Sequence, residues 1–248
     1  MNETTATDPR RGRRSLFEGR HRGMGGNALR AAVLGANDGL VSNFSLVMGV
    51  AGAGVSGGPV LVAGLAGLLA GSLSMALGEW LSVQSAREFY ANQIAIEAEE
   101  LAAFPEEEEE ELRLIYEAKG VDSDDARRLA HRIITADPAV ALDTVTREEL
   151  RIDPDDLGGS AWVAALTSFV LFALGAIVPV LPFLMMSGAP AIIASAALSS
   201  AALFGLGAAI TLMTGRNPLI AGLRQLAFGL AAAAITFGIG TLLGTAIS

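Results

Sequence analysis

The chain has 248 residues, of which 52% are hydrophobic and 17% charged, and its mean hydropathy is +0.48. A soluble domain usually carries about 25% charged residues, so this composition indicates a membrane protein. The charges are segregated, because 21 of the 26 acidic residues lie between Glu88 and Asp156. The pI near 4.7 therefore describes one polar segment and does not indicate affinity for nucleic acid. The lack of cysteine excludes disulfides, thiolate metal sites and cysteine nucleophiles.

Five apolar segments are each close to the ~20 residues that cross about 30 Å of hydrocarbon. We predict an all-α membrane protein in which two transmembrane helices, within residues 29–83, precede a polar insert at 84–159. Three more transmembrane helices follow within residues 160–248, and residues 1–28 form a basic N-terminal arm without a secretory signal pattern. The predicted spans cover residues 31–54, 59–83, 161–185, 190–213 and 222–247.

The basic residues predict the orientation in the membrane. The region up to Arg30, the insert, and the turn from Arg216 to Arg224 hold seven, eight and two of them, which is all 17. Lys and Arg accumulate on the cytoplasmic side of a membrane. We therefore expect a cytoplasmic N-terminus and insert, and a C-terminus outside. The arm carries no clear organelle address, so we expect a bacterial-type plasma membrane.

The insert is predicted to be helical throughout. IAIEAEELAAF and PEEEEEELRLIYEAKG are two helical patterns, the second with proline at its start and Gly120 as its stop. DSDDARRLAHRIITA is a third helix, capped by Asp or Ser, and PAVALDTVTREELRI is a short fourth helix. His131 is surrounded by arginines, which disfavour a bound cation, so we interpret it as a surface residue.

Asp38 is the only charged residue inside the first span, in LGANDGLVSNFSLVMG. A carboxylate at that depth costs roughly 2.5–3.5 kcal/mol on the mildest insertion scale, so it is rare and usually functional. The spans offer almost no basic residue to neutralise it. We interpret Asp38 as an ion or proton site rather than a structural acid, with Asn37, Ser42 and Asn43 as neutral oxygen ligands nearby.

The second span carries Glu79 and, one helical turn earlier, Met75, in SLSMALGEWLSVQS. Residues four apart share a helix face. A desolvated carboxylate has a raised pKa, so Glu79 or Asp38 could carry a proton in exchange for a cation. The methionine sulfur is a soft ligand that favours transition metals over magnesium or calcium. The alternatives are that Glu79 only reaches water and that Met75 only packs.

The insert repeats a pair of glutamates three residues apart, Glu97 with Glu100 and Glu108 with Glu111, and Glu149 lies on its last helix. Each pair places two carboxylates on one helix face. Two such faces together form an oxygen-rich cation site. The run of six glutamates alone would indicate only a solvated surface.

Proline and glycine interrupt the spans. Pro179 and Pro182 in the third span would free backbone carbonyls that a neighbouring helix or a cavity must satisfy. Closely spaced glycines allow helices to approach one another, whether for ordinary packing, for a dimer contact or for a flexible point. These glycines are Gly35 and Gly39, Gly67 and Gly71, and Gly205 with Gly207.

Taken in order, these motifs resemble the vacuolar iron transporter family over residues 28–247. The matching stretches are LGANDGLVSNFSLVMG, SLSMALGEWLSVQS, PEEEEEELRLIYEAKG with TREEL, GAIVPVLPF, and TGRNPLIAGLRQLAFGLAAAAITFGIG. The resemblance implies a homodimer of five-span protomers with an ion path between the first spans. It also implies export of Fe²⁺, or of Mn²⁺ or another divalent metal such as Zn²⁺, from the cytoplasm in exchange for protons.

The family's functional residues map onto this chain individually. Its path residues fall on Asp38 and Met75, with Glu79 in the same stretch. Where some members have a methionine four residues before the last insert glutamate, this chain has Val145, which makes the expected insert site all oxygen. The family's metal-gathering insert carboxylates fall on Glu97, Glu100, Glu108, Glu111 and Glu149.

The sequence thus predicts a divalent metal/proton antiporter without a permanent cofactor, whose partners are a second copy, membrane lipid, metal ions and protons. We expect no use of ATP, because the chain has no phosphate-binding Gly-Lys motif. We also expect no enzyme, because an intramembrane hydrolase would need a Ser/His/Asp constellation and neither histidine lies in a span. The alternative is a membrane-anchored metal sensor or storage protein whose spans only anchor the insert. The acids within the spans favour the transporter, since an anchor has no need of Asp38.

Overall fold

A computed structural model describes residues 25–55, 57–155 and 157–247, and this part of the chain consists of helices without a β-strand. The predicted arm therefore lies almost entirely outside the described residues. The α-helices are α1 Gly25–Gly52, α2 Gly57–Ala103, α3 Pro105–Ala118, α4 Ser123–Ile134, α5 Pro138–Val145, α6 Ala161–Ile177, α7 Leu181–Met185, α8 Gly188–Thr214 and α9 Pro218–Ile247, and a π-helical turn, Thr146–Leu150, follows α5.

The long helices are those of an integral membrane protein. Three of the described helices, α2, α8 and α9, are long and apolar enough to cross a membrane, and α6 is a shorter apolar helix. The all-α prediction is confirmed. The predicted helix starts in the insert are also confirmed, with proline at the start of α3 and the Asp122 side chain accepting from the Asp124 backbone N–H at the start of α4.

Helix α2 is longer than the predicted second span. Its 47 residues extend about 70 Å at 1.5 Å per residue, more than twice the hydrocarbon thickness. Since neither glycine nor proline interrupts residues 79–103, the first helical pattern of the insert continues the helix of the second span. The polar end of α2, with Glu97, is therefore a helical extension beyond the apolar segment.

The predicted third span is not one helix. α6 ends at Ile177 and α7 begins at Leu181, because Pro179 has no N–H to continue the helical ladder. As we predicted from the two prolines, two backbone carbonyls near this turn accept hydrogen bonds from side chains of other helices. The Asn43 amide donates to the Ala176 carbonyl at 2.6 Å, and the Ser195 hydroxyl donates to the Pro179 carbonyl at 2.7 Å.

The chain forms two compact units. One contains the described residues up to Met75 together with those from Thr167 onward, and the other is Ala76–Leu166. In the first unit α1 packs against α8 and α9. Its core is built mainly on α1, from Leu40, Phe44 and Val47, with Leu203 of α8 packed in the same cluster.

Most of the predicted glycine contacts are helix-packing positions. A Cβ on Gly39 would lie 2.1 Å from the Phe172 carbonyl oxygen, and one on Gly67 would lie 2.6 Å from the Asn43 side-chain oxygen. Such distances leave room for hydrogen only, so these helices touch through glycine. Gly205 is an exception, since its position is open.

Gly175 gives a direct test of this packing. An alanine Cβ there would meet the Ala36 carbonyl oxygen at 1.9 Å, so α1 and α6 would have to separate. We expect Gly175→Ala to lower the stability of the detergent-solubilised protein by about 1–3 kcal/mol, measured by thermal unfolding. Gly205→Ala is the matched control and should be neutral or slightly stabilising. Equal melting temperatures for the two variants would contradict close packing at Gly175.

Candidate metal centre

Three glutamates of the predicted set converge in the unit Ala76–Leu166. Carboxylate oxygens of Glu97, Glu108 and Glu149 all lie within 4.8 Å of one another. Glu97 is 2% exposed and Glu108 6% exposed, while Glu149 is half-buried. The Oε1 of Glu97 and the Oε2 of Glu108 are buried without a hydrogen-bond partner among the described residues. We call these three residues the carboxylate cluster.

Each member of the carboxylate cluster comes from a different element. Glu97 lies on the last turns of α2 and Glu108 on the first turns of α3, and only Phe104 joins the two helices. This short connection lets the two helices fold back on each other. The spacing of the glutamates predicted which face of each helix is acidic, and the short connection before Pro105 allows Glu97 and Glu108 to lie close together.

Glu149 is placed by the π-helical turn that follows α5. The turn ends at Arg151, which has the left-handed backbone conformation with φ of +56°. Arg147 fixes this segment, because its guanidinium binds the carboxylates of Asp143, Asp153 and Asp155. The sequence did not predict the π-helical turn, a feature that is frequent at functional sites.

Burial and mutual repulsion raise the pKa of each cluster carboxyl. Burial, followed by the charge of Glu149, raises the pKa of Glu97 to about 8. Burial, followed by the charge of Glu111, raises the pKa of Glu149 to about 7, and burial also raises the pKa of Glu108. The Glu97 and Glu149 carboxyls therefore exchange protons near neutral pH instead of near pH 4.

Glu100 and Glu111 complete the predicted set at the periphery of the carboxylate cluster. Both are exposed. The charge of Glu100 raises the pKa of all three cluster residues, and the charge of Glu111 raises that of Glu108 and Glu149. The two residues therefore add negative potential, although their oxygens are not among the three that meet within 4.8 Å.

No basic side chain neutralises the carboxylate cluster in the part of the chain that is described. Arg113 pairs with Glu110 and Glu117, and Lys119 pairs with Glu148. His131 is exposed, as predicted, and its Nδ1 lies 2.8 Å from a Glu109 oxygen. These basic side chains are therefore paired with other acids, and the carboxylate cluster has no ion pair among the described residues.

Val145 belongs to the hydrophobic core of the insert. It is 1% exposed and packs with Leu112 and Ala130. The three residues of the carboxylate cluster each offer a carboxylate oxygen, and the all-oxygen site stays a prediction. Such a donor set is hard, and its charge rather than its softness would attract a divalent cation.

The predicted residues of the spans lie on α1 and on the apolar part of α2. Asp38 is exposed on α1, in a stripe with Leu34, Ser42 and Leu46 at intervals of four residues. Met75 and Glu79 are half-buried on α2. Among the described residues of a single protomer, Asp38 is thus left exposed.

The neutral residues next to Asp38 make contacts that the sequence did not predict. The Asn37 side-chain oxygen accepts a hydrogen bond from Gln225 on α9, a residue that our sequence reasoning missed. The Asn43 amide donates to the carbonyls of Gly64 and Ala176. Of the three proposed neutral ligands, these two therefore tie helices together through their side chains, and Ser42 donates to the Asp38 carbonyl.

Apolar helices of membrane-spanning length define the chain as an integral membrane protein, and its insert contains a buried carboxylate cluster without a basic partner among the described residues. Comparison with known proteins is more specific, because the model of the VIT family matches residues 29–241. The chain belongs to the VIT family. It is 32% identical over 213 residues to vacuolar iron transporter 1 of Arabidopsis thaliana, covering 86% of this chain and 84% of that protein.

Two further relatives have comparable coverage. A vacuolar iron transporter of Acanthamoeba castellanii is 37% identical over 219 residues, which cover 86% of this chain and 78% of the relative. Vacuolar iron transporter homolog 1 of Oryza sativa subsp. japonica is 35% identical over 217 residues, which cover 87% and 74%. The family resemblance read from the motifs is confirmed.

The raised pKa values predict how stability depends on pH. Between pH 4.5 and about 8 the folded cluster retains protons that the unfolded chain has lost, so the free energy of unfolding falls as the pH rises through this window. In chelator-treated protein, Glu97→Gln mimics the neutral acid. It should raise the melting temperature by a few degrees at pH 8 and leave it nearly unchanged at pH 5.

The matched control is Glu106→Gln, which changes an exposed glutamate at the start of α3. This variant should behave like the wild type at both pH values. An equal shift at pH 5 and pH 8 for Glu97→Gln would mean that the Glu97 carboxyl is not kept protonated by its surroundings.

Proposed function

We propose that this chain exports a divalent transition metal, Fe²⁺ or Mn²⁺, from the cytoplasm in exchange for protons. The observation that carries the proposal is the buried carboxylate cluster, which lacks a basic partner among the described residues. Membership of the VIT family supports transport, and the relatives are named as iron transporters. The function needs no permanent cofactor and no chemical reaction.

The first step is capture of the metal at the insert. Glu97, Glu108 and Glu149 replace water around the cation, while Glu100 and Glu111 increase its local concentration through their charge. Because the pKa values of Glu97 and Glu149 are raised to about 8 and about 7, binding of a divalent cation displaces protons. Oxygen ligands bind and release such cations without strong discrimination, so we place the softer selection at Met75.

The second step is passage along the first span, and it supports a homodimer. An exposed Asp38 facing lipid would be costly, whereas the same face of a second protomer would cover it and create a polar path. Asp38 and Met75 are the proposed ligands on this path. Protonation of Asp38 or Glu79 from the far side would weaken the bound metal and release it.

The proposed topology has five spans, α1, α2, α6 with α7, α8 and α9. The N-terminus and the insert, residues 84–159, face the cytoplasm and the C-terminus lies on the opposite side, which agrees with the distribution of Lys and Arg. We propose the plasma membrane as the location. In a vacuolar membrane, as in the names of the relatives, the direction away from the cytoplasm would be the same.

Asp38→Asn tests the central step. The variant keeps the shape of the side chain but removes its charge, so we expect metal flux to fall at least tenfold while insert binding is kept. The measurement is uptake of Fe²⁺ and Mn²⁺ into proteoliposomes that carry a pH gradient. Glu88→Gln, which removes an exposed carboxylate of α2, should transport normally. Wild-type flux in Asp38→Asn would refute the proposed path.

Glu97→Gln separates a transporter from a sensor or storage protein. If the insert only gathers metal, this variant should weaken Mn²⁺ binding about tenfold or more and slow transport at low metal, yet leave the flux at saturating metal largely intact. Calorimetric titration at pH 6 and pH 8 should show tighter wild-type binding at pH 8, as protons leave the cluster. Tight binding with no flux in wild type would favour the sensor.

A further inference from the structure

We propose that the turn between α8 and α9 binds the phosphate headgroup of an anionic phospholipid. A cavity of about 620 Å³ lies at this turn. Arg216, Asn217 and Arg224 line it from the turn and from the start of α9, and Ile210 lines it from α8. None of these residues belongs to the carboxylate cluster or to the proposed metal path.

Charge is the first reason for an anionic ligand. Arg216 and Arg224 are both exposed, and neither forms an ion pair with a described residue. All the ion pairs among the described residues lie in the insert, where arginines such as Arg113 and Arg147 are neutralised. No acid follows Asp156 in the sequence. Two free guanidiniums that line one cavity favour a phosphate, whose oxygens match their paired N–H groups.

Two of the first backbone N–H groups of α9 already have a partner within the protein. The Asn217 side-chain oxygen accepts from the backbone N–H groups of Leu219 and Ile220, at 2.9 and 3.4 Å, and so caps the start of α9. The recognition we propose therefore depends on the arginine side chains, which substitution can remove without changing the cap.

The apolar surroundings favour a lipid over free phosphate. Leu219, Ile220 and Leu223 are 57%, 66% and 51% exposed, and they lie between the two arginines in the sequence. Charged and apolar groups on one short surface suit a molecule with an anionic head and acyl chains. The cavity lies where α8 and α9 meet, and each of these helices is long and apolar enough to cross a membrane. Basic pockets between such helices bind anionic headgroups.

A lipid held here would act on the start of α9. Gln225 directly follows Arg224 and donates a hydrogen bond to Asn37, the residue before Asp38. A headgroup that holds Arg224 would therefore steady the contact between α9 and α1 beside Asp38. This consequence for transport rests on the proposed function, whereas lipid binding itself does not.

Lipid binding can be measured on the full-length protein by native mass spectrometry in detergent, with phosphatidylglycerol or phosphatidylcholine added. We expect the wild type to retain phosphatidylglycerol preferentially. The double variant R216Q/R224Q should bind it about tenfold to thirtyfold more weakly, since each guanidinium contributes to attraction by an anionic headgroup. R127Q/R132Q, which removes two exposed charges from α4, is the charge-matched control and should bind like the wild type.

Three outcomes would overturn the proposal. One is equal retention of phosphatidylglycerol by the wild type and R216Q/R224Q, and another is an equal loss in R127Q/R132Q. The third is a thermal stabilisation by inorganic phosphate as large as that by the lipid, which would assign the site to free phosphate.

If the double variant does not fold, Arg216→Gln alone, in the turn before α9, should weaken lipid binding in the same direction. Because the readout is binding, a failed flux experiment would leave this result intact.

Discussion

Backbone polar groups inside a membrane must find partners within the protein, and this constraint governs the architecture of the chain. Long helices satisfy it along most of the apolar sequence. The constraint becomes visible where Pro179 stops the ladder, because the carbonyls of Ala176 and Pro179 accept side-chain hydrogen bonds from Asn43 and Ser195. The polar residues of the spans thus serve the fold as well as any ion path, and Asn43 joins three elements through one amide.

In the insert, some buried polar atoms have no hydrogen-bond partner among the described residues. Buried polar groups usually have partners, yet the carboxylate cluster has buried oxygens without one among the described residues. The cluster has no ion pair with a described basic residue, and burial together with mutual repulsion raises the pKa values of Glu97 and Glu149 to about 8 and about 7, so these carboxyls hold protons near neutral pH. Carboxyls that are protonated because no basic residue neutralises them can exchange those protons for a divalent metal. This exchange is the chemistry that the proposed antiporter requires.

The surroundings of Asp38 differ from those of the insert glutamates. In the insert, burial within one protomer creates the special properties of the acids, but Asp38 is exposed on α1. Its environment is completed only by what covers that face. A second protomer and the membrane are therefore part of the proposed site in the spans, whereas the three glutamates of the carboxylate cluster come together within a single chain.

The sequence by itself determined the helical class, the apolar segments and the family, because composition and period are local properties. It also determined which acids could act together in the insert, since a spacing of three places Glu97 with Glu100 and Glu108 with Glu111 on common helix faces. The roles of these residues, and of Asp38 and Met75, stay predictions. Helix capping and the proline start of α3 were equally readable, because they depend on neighbouring residues.

Tertiary structure decided what depends on distant residues. It joined the predicted second span to the insert as one helix and divided the predicted third span into two helices. It also brought Glu149 to Glu97 and Glu108 through a π-helical turn that no local sequence pattern predicted. It also gave Asn37 and Asn43 partners on other helices. The physical reason is common to all of these. Burial, pKa and hydrogen-bond pairing depend on which elements meet, and the residues that meet can be as far apart in the sequence as Asn37 and Gln225, which are separated by 188 positions.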